Sequence, residues 1–136
     1  MTAELYRGEV AAEEAALAWI RRALGGGLRV YVVRFLTGQV PREDLALAEK
    51  YAGRLEVRAM GREGAVDPAD PDPVDVKWAE DGLALGRRAL HKGGWDAVVL
   101  LGVTPCVRLG LLDLDRVLEV VDDRPDGDDR TQMLTM

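Results

Sequence analysis

Two apolar runs constrain this chain more than any other feature. Leu28 to Leu36 is rich in β-branched and aromatic residues around Arg29 and Arg34, and Asp96 to Val103 encloses Ala97-Val98-Val99-Leu100-Leu101. Strands of this kind are buried on both faces, as in parallel sheets covered by helices. The segments around them alternate between strand and helix signals. That order predicts an α/β chain with a mostly parallel sheet and right-handed crossovers.

The remaining elements follow from local pattern. Ala3 to Tyr6 reads as a short first strand. Val10 to Leu24 reads as a helix, with Leu17, Ile20 and Leu24 on one stripe flanked by Ala16 and Trp19. Gly25-Gly26-Gly27 ends it, because glycine tolerates the left-handed cap conformation. A helix is expected from Pro41 to about Ala52. Leu55, Val57 and Ala59 alternate with Glu56 and Arg58, which predicts an edge strand over 54–60. Residues 61–73 carry three prolines and three aspartates and read as a loop. Val74 to Lys92 reads as a helix, with Trp78, Leu83, Leu85 and Leu90 as packing residues, and Gly93-Gly94 ends it. After the strand at 96–103 come a turn and a loop holding Cys106. A helix over 113–122 capped by Asp113 follows, then a turn at 126–129 and a final strand at 131–136.

At 136 residues the chain fits one domain, 1–136, with a full core. Its net charge of −6 argues against nucleic acid and an anionic membrane surface. No apolar run approaches the roughly 18 residues of a transmembrane helix, and the first residues lack the pattern of a signal peptide. One cysteine excludes an internal disulfide. The expected location is the cytoplasm.

The stretch from Leu5 to Leu17 lies where an α/β nucleotide enzyme places G-x-x-x-x-G-K-[ST]. It holds one glycine, no lysine, no Ser or Thr, and three glutamates. A working loop aims backbone N–H groups and a lysine at phosphates, and its hydroxyl holds magnesium. Glu9, Glu13 and Glu14 suit a helix N-terminus, each contributing roughly 0.3–1 kcal/mol. The same charges oppose a triphosphate: one pair of unit charges at ~5 Å repels by about 3 kcal/mol at an effective dielectric near 20. Arg7, Gly8, Glu9, Val10, Ala11, Ala12, Glu13 and Glu14 therefore form a degenerate phosphate loop. Its glutamates could instead receive a cationic or neutral partner, such as an arginine of another chain.

Gly94-Trp95-Asp96-Ala97-Val98-Val99-Leu100-Leu101, then Gly110-Leu111-Leu112-Asp113-Leu114-Asp115-Arg116-Val117-Leu118 and Arg124-Pro125, resemble the P-loop type of corrinoid adenosyltransferase. That family moves the adenosyl group of ATP onto the cobalt of a corrinoid. Its strand reads like Y-D-L-V-V-L-D-E-L, followed by a G-L-L-D-L-E-E-V-L helix and an R-P. Arg22 to Gly38 is similar to the family's helix end, second strand and V-Q-F-x-K-G turn. Met60-Gly61-Arg62 is similar to the start of its M-G-x-G-F-x-W loop. The resemblance covers roughly residues 5–125. It implies a three-layer α/β sandwich of the P-loop NTPase type with a five-stranded, mostly parallel sheet.

The resemblance also implies ATP, magnesium and a corrinoid as ligands, and the residues here depart from what those need. Ala12 falls on the family's lysine, and Glu13 and Glu14 on its two threonines. Leu101 and Gly102 fall on the Asp-Glu pair that serves magnesium. No aromatic follows Met60-Gly61-Arg62. The family's N-terminal extension and later elements are expected to be missing, which would leave a site open to water. The expectation is a divergent homologue that needs no cofactor and neither binds ATP nor catalyses transfer. It would act as a binding or assembly protein, with itself, a paralogue or a corrinoid as candidate partners. The alternative is an active adenosyltransferase, with Arg7, Arg34 or Arg62 supplying positive charge and Asp96 or Asp113 the metal contact. Arg34, Phe35, Thr37 and Arg62 are candidates to line a corrinoid or ligand crevice at the carboxyl ends of the strands. The structural alternative assigns Phe35 to the core and the arginines to solvent.

Other polar residues read as structural. Cys106 lacks a base nearby, since the one histidine, His91, is expected at the far end of a helix, near the opposite edge of the sheet. The Asp122–Asp129 run fails as a calcium loop, because Arg124 and Met133 would fall on ligand positions. Asp67, Asp70 and Asp72 solvate the proline-rich loop.

Overall fold

The computed structural model describes the backbone of residues 3–5, 9–62, 66–122 and 132–135, and the side chains of 14–62 and 66–122. The expected alternation is present. In chain order the elements are β1 (Ala3–Leu5), α1 (Glu9–Gly25), β2 (Val30–Phe35), α2 (Arg42–Lys50) and β3 (Leu55–Met60). Then come α3 (Pro73–Lys92), β4 (Ala97–Leu101), α4 (Val103–Arg108), α5 (Leu114–Asp122) and β5 (Gln132–Thr135). The strands form one sheet in the order β1-β5-β4-β2-β3. Each pairing is parallel. The alternating strand at 54–60 does lie at an edge.

Strand periodicity divides the core in two. Val30 and Val32 of β2, with Ala97, Val99 and Leu101 of β4, meet Ala16, Ile20, Ala23 and Leu24 of α1, with Leu47 of α2 beside them. Tyr31, Val33 and Phe35 of β2, with Val98 and Leu100 of β4, meet α3, α4 and α5. Successive side chains on a strand point to opposite faces, so a three-layer sandwich results. Leu24, Leu90, Leu100 and six valines of β2, β4 and α4 that include Val30 and Val99 are among its fully buried side chains.

Helix α3 packs through small residues as well as the leucines expected. Leu83 and Leu90 are buried, while Trp78 and Leu85 are half-buried. Gly82 and Gly86, one turn apart, let the helix approach the sheet closely. A Cβ on Gly86 would lie 2.7 Å from Leu100 Cδ2. The start of α3 is fixed by a capping box: Asp72 accepts from Val74 N at 2.9 Å, and Asp75 accepts from Asp72 N at 3.2 Å. Asp72 thus has a cap to make, beyond solvating the loop. Asp113 caps α5, accepting from Asp115 N at 3.1 Å.

One expectation is corrected. Cys106 lies on a short helix, α4, where a loop was expected. Gly102, at φ 92°, ends β4 before Val103 and turns the chain directly into that helix. Pro105 reads as loop punctuation in the sequence, yet it falls in the first turn, where its missing N–H is no loss. The turn at 126–129 and most of the 122–129 run lie outside the described residues. Among the described residues no cluster of three metal-ligating side chains is found, and no helix is long and apolar enough to cross a membrane.

Candidate functional site

The carboxyl ends of β2, β3 and β4 meet in one set of tight turns. Leu36, just past β2, has φ 58°, which L residues other than Asn and Asp rarely adopt. Its N–H donates to Met60 O at 3.1 Å, tying the end of β2 to the end of β3. The Thr37 hydroxyl donates to Phe35 O at 3.1 Å. A Cβ on Gly61 would lie 2.5 Å from Thr37 N, so only glycine fits there. Gly102 passes less tightly by Phe35, whose O lies 3.2 Å from where its Cβ would be.

Both candidate arginines at this edge are held by carboxylates. Arg34 points to the α1–α2 side of the sheet, where Nε donates to Asp44 Oδ2 at 2.5 Å and Nη2 to Oδ1 at 3.1 Å. Both partners are buried. Arg62 donates from Nε to Asp75 Oδ1 at 2.6 Å and from Nη2 to Oδ2 at 3.1 Å. Asp75 is buried, while the Arg62 side chain is 40 % exposed. The Arg62 hydrogen bonds hold the Asp75 carboxyl below the usual carboxylate range, against burial, which pushes it up. The same bonds raise the Arg62 guanidinium. Asp44 and Asp75 were not singled out in the sequence. Each lies in the first turn of a helix, where an acid looks like dipole complementarity.

Phe35 is 3 % exposed and lies under α3, against Gly82. Thr37 is part-buried at the edge. A cleft of about 200 Å³ opens beside it, lined by Leu36, Met60, Trp78 and Leu109, with Arg62 and Asp75 on one side. Of the crevice candidates, Arg62 therefore lines a cavity, whereas Arg34 and Phe35 are buried elsewhere.

The described phosphate-loop candidates open α1, which packs on the face of the sheet opposite the cleft. Arg7 and Gly8 are outside the described residues. The backbone of Glu9, Val10, Ala11, Ala12, Glu13 and Glu14 forms the first turns of α1, and Glu14 is exposed. Strand β1, which leads towards them, is at the far edge of the sheet, with β5 and β4 between it and β2. At ordinary strand spacing that separation is roughly 14 Å. Leu101 is buried against α1, so the strand end expected to fall on the family's acidic pair presents a hydrocarbon.

Cys106 is buried, and burial pushes its thiol up to about 12. His91 is exposed in the last turn of α3, which leads into the amino end of β4, while Cys106 follows the carboxyl end. The topology thus separates the only thiol from the only histidine.

Residues 5–130 match the family model of the ATP:corrinoid adenosyltransferase BtuR/CobO/CobP. The chain is similar to a corrinoid adenosyltransferase of Pseudomonas aeruginosa, with 29% identity over 110 residues, covering 81% of this chain and 54% of that relative. It is also similar to an uncharacterized protein of Nostoc sp., with 28% identity over 126 residues, covering 82% of this chain and 33% of that protein. The chain therefore spans about half the length of the first relative and a third of the second.

Proposed function

The chain belongs to the ATP:corrinoid adenosyltransferase family, and from that membership we propose a member that has given up ATP binding and adenosyl transfer and acts as a binding or assembly protein. The observation that carries this reading is the state of the arginines. With no lysine between residues 5 and 17, a triphosphate needs another cation. Arg34 and Arg62, the described candidates, each give two donors to a carboxylate of this chain. Freeing Arg34 would strand a buried Asp44, which costs roughly 3–5 kcal/mol. Leu101 and Gly102 offer no oxygen ligand from a side chain for magnesium. The candidate partners are a second copy, a paralogue with an intact loop, or a corrinoid.

One observation favours a second reading, an active enzyme with a rearranged nucleotide site. The family match begins at residue 5 and so runs through the phosphate-loop stretch. In that case Arg7 would supply the positive charge. Calorimetric titration with MgATP, with an assay of adenosyl transfer to a reduced corrinoid, separates the two. Absence of binding at millimolar MgATP, with no transfer, is the expected result. Micromolar binding or transfer at an ordinary enzymatic rate overturns the first reading in favour of the second.

A further inference from the structure

The cleft at the ends of β2 and β3 has a definite chemistry of its own. Leu36, Met60, Val66, Trp78, Ala79 and Leu109 give it apolar walls. Its polar side is the Arg62–Asp75 pair. The pair engages Nε and Nη2 of a guanidinium that has five N–H groups. The 40 % exposure of Arg62 leaves the outer edge of that fork reachable. Asp75 cancels the charge of Arg62, so the cleft offers hydrogen-bond donors without a net positive field. A ligand carboxylate would gain little from the neutralised arginine and would be repelled by Asp75, which the same hydrogen bonds keep ionised at neutral pH.

Size sets the second limit. Drug-sized ligands occupy pockets of about 300–1,000 Å³, and a corrin macrocycle with its side chains is at least that large. The cleft measures about 200 Å³. A dry apolar cavity of about 150 Å³ holds one benzene. The left-handed backbone at Leu36 and the close approach at Gly61 fix two of the walls, so enlarging the cleft would mean remaking both turns.

We propose that this cleft is a binding site for a small neutral molecule, one planar apolar ring bearing a carbonyl that accepts from Arg62. The site does not depend on whether ATP binds, so the calorimetric result for MgATP neither supports nor removes it.

The test uses 4-fluorobenzamide as probe, with 4-fluorobenzoate for the charged class, followed by ¹⁵N NMR of the full chain. The expected result is a dissociation constant of about 1 mM for the amide. Shifts should concentrate at the Gly61 amide, the Arg62 Nε–H and the Trp78 indole N–H. The benzoate should bind roughly five-fold more weakly at neutral pH. Leu109→Trp, which fills the cleft, should abolish the shifts. Val66→Phe, in the loop, does the same if the first variant does not fold. The proposal is overturned by any of three results: no shift at about 10 mM amide, benzoate binding as tight as the amide, or amide binding undiminished in the folded filling variant.

Discussion

Phe35 Cε1 lies 2.8 Å from the point a Cβ on Gly82 would occupy, and Met60 Cβ lies 3.2 Å from it. The ring is therefore locked beneath α3 by the absence of a side chain in the helix above. Gly82→Ala gains about 1 kcal/mol of helix propensity but forces the ring or the helix to move, and such overpacking costs roughly 1–3 kcal/mol. A net loss of about 1 kcal/mol is expected by urea denaturation. Phe35→Ala should cost roughly 3–5 kcal/mol. Phe35→Leu combined with Gly82→Ala should be less destabilised than the sum of the two single changes, because the sites share one space. Strict additivity would mean that the ring and the glycine are not in contact.

The layers were legible in the sequence because β2 and β4 are apolar on both faces, a pattern that leaves few alternatives to a covered parallel sheet. The core of α3 was only half legible. Leu83 and Leu90 announce themselves, but Gly82 and Gly86 read as weak points of a helix until the sheet they approach is known. The ion pairs were not legible at all: Asp44 follows Arg34 by ten residues and Asp75 follows Arg62 by thirteen, with a turn or loop between that sets no distance from sequence alone. The helix holding Cys106 was hidden by Gly102 and Pro105, which look like loop residues in isolation.

Arg34 and Asp44 are buried together, so neither can lose its partner cheaply. Asp44→Ala takes from the buried Arg34 guanidinium the carboxylate that accepts two of its hydrogen bonds and should destabilise by roughly 3–5 kcal/mol. Arg34→Met with Asp44→Leu removes both charges and should recover most of that loss. Denaturant midpoints of the two variants check the order. If Asp44→Ala were as stable as the parent, Arg34 would be free enough to serve a phosphate, and the objection to an active enzyme would weaken.

Arg62 and Asp75 predict a pH dependence. Hydrogen bonds from Arg62 lower the Asp75 carboxyl in the folded chain, whereas an unfolded aspartate titrates near about 3.9. The unfolded state then binds more protons between the two values, so stability rises with pH across that window. The contribution is complete above the unfolded value and is lost as pH falls through the folded one. Thermal midpoints of the parent and of Asp75→Asn, followed from neutral pH into acid, should differ most at neutral pH and converge in acid. A constant difference across the range would show that Asp75 is not the titrating group.

Cys106 should be inert in the folded protein. Its side chain is buried, and the thiol is pushed up to about 12, so at about pH 8 the thiolate is scarce as well as shielded. Labelling with a chromogenic disulfide reagent should be slow in buffer and immediate in denaturant, with a buffer rate that tracks unfolding. Fast labelling without denaturant would mean that α4 opens locally.

Leu101 and Gly102 stand where the resemblance puts the family's acidic pair, and their surroundings predict that such a pair cannot be installed one residue at a time. Leu101 is 3 % exposed and packs with Ala97 and Val99 against α1. Leu101→Asp gives up a buried leucine, worth roughly 2–5 kcal/mol, and buries a carboxylate beside Arg34, its register partner on β2, whose guanidinium already serves Asp44. Gly102 has φ 92° and Phe35 O close behind it, so any side chain there meets roughly 1–2 kcal/mol of left-handed strain before it meets the carbonyl. Reinstalling the acidic pair should therefore unfold or severely destabilise the chain without conferring magnesium binding. A variant with both acids that folded with parental stability and bound MgATP would show the site to be dormant, with the strand end still shaped for it.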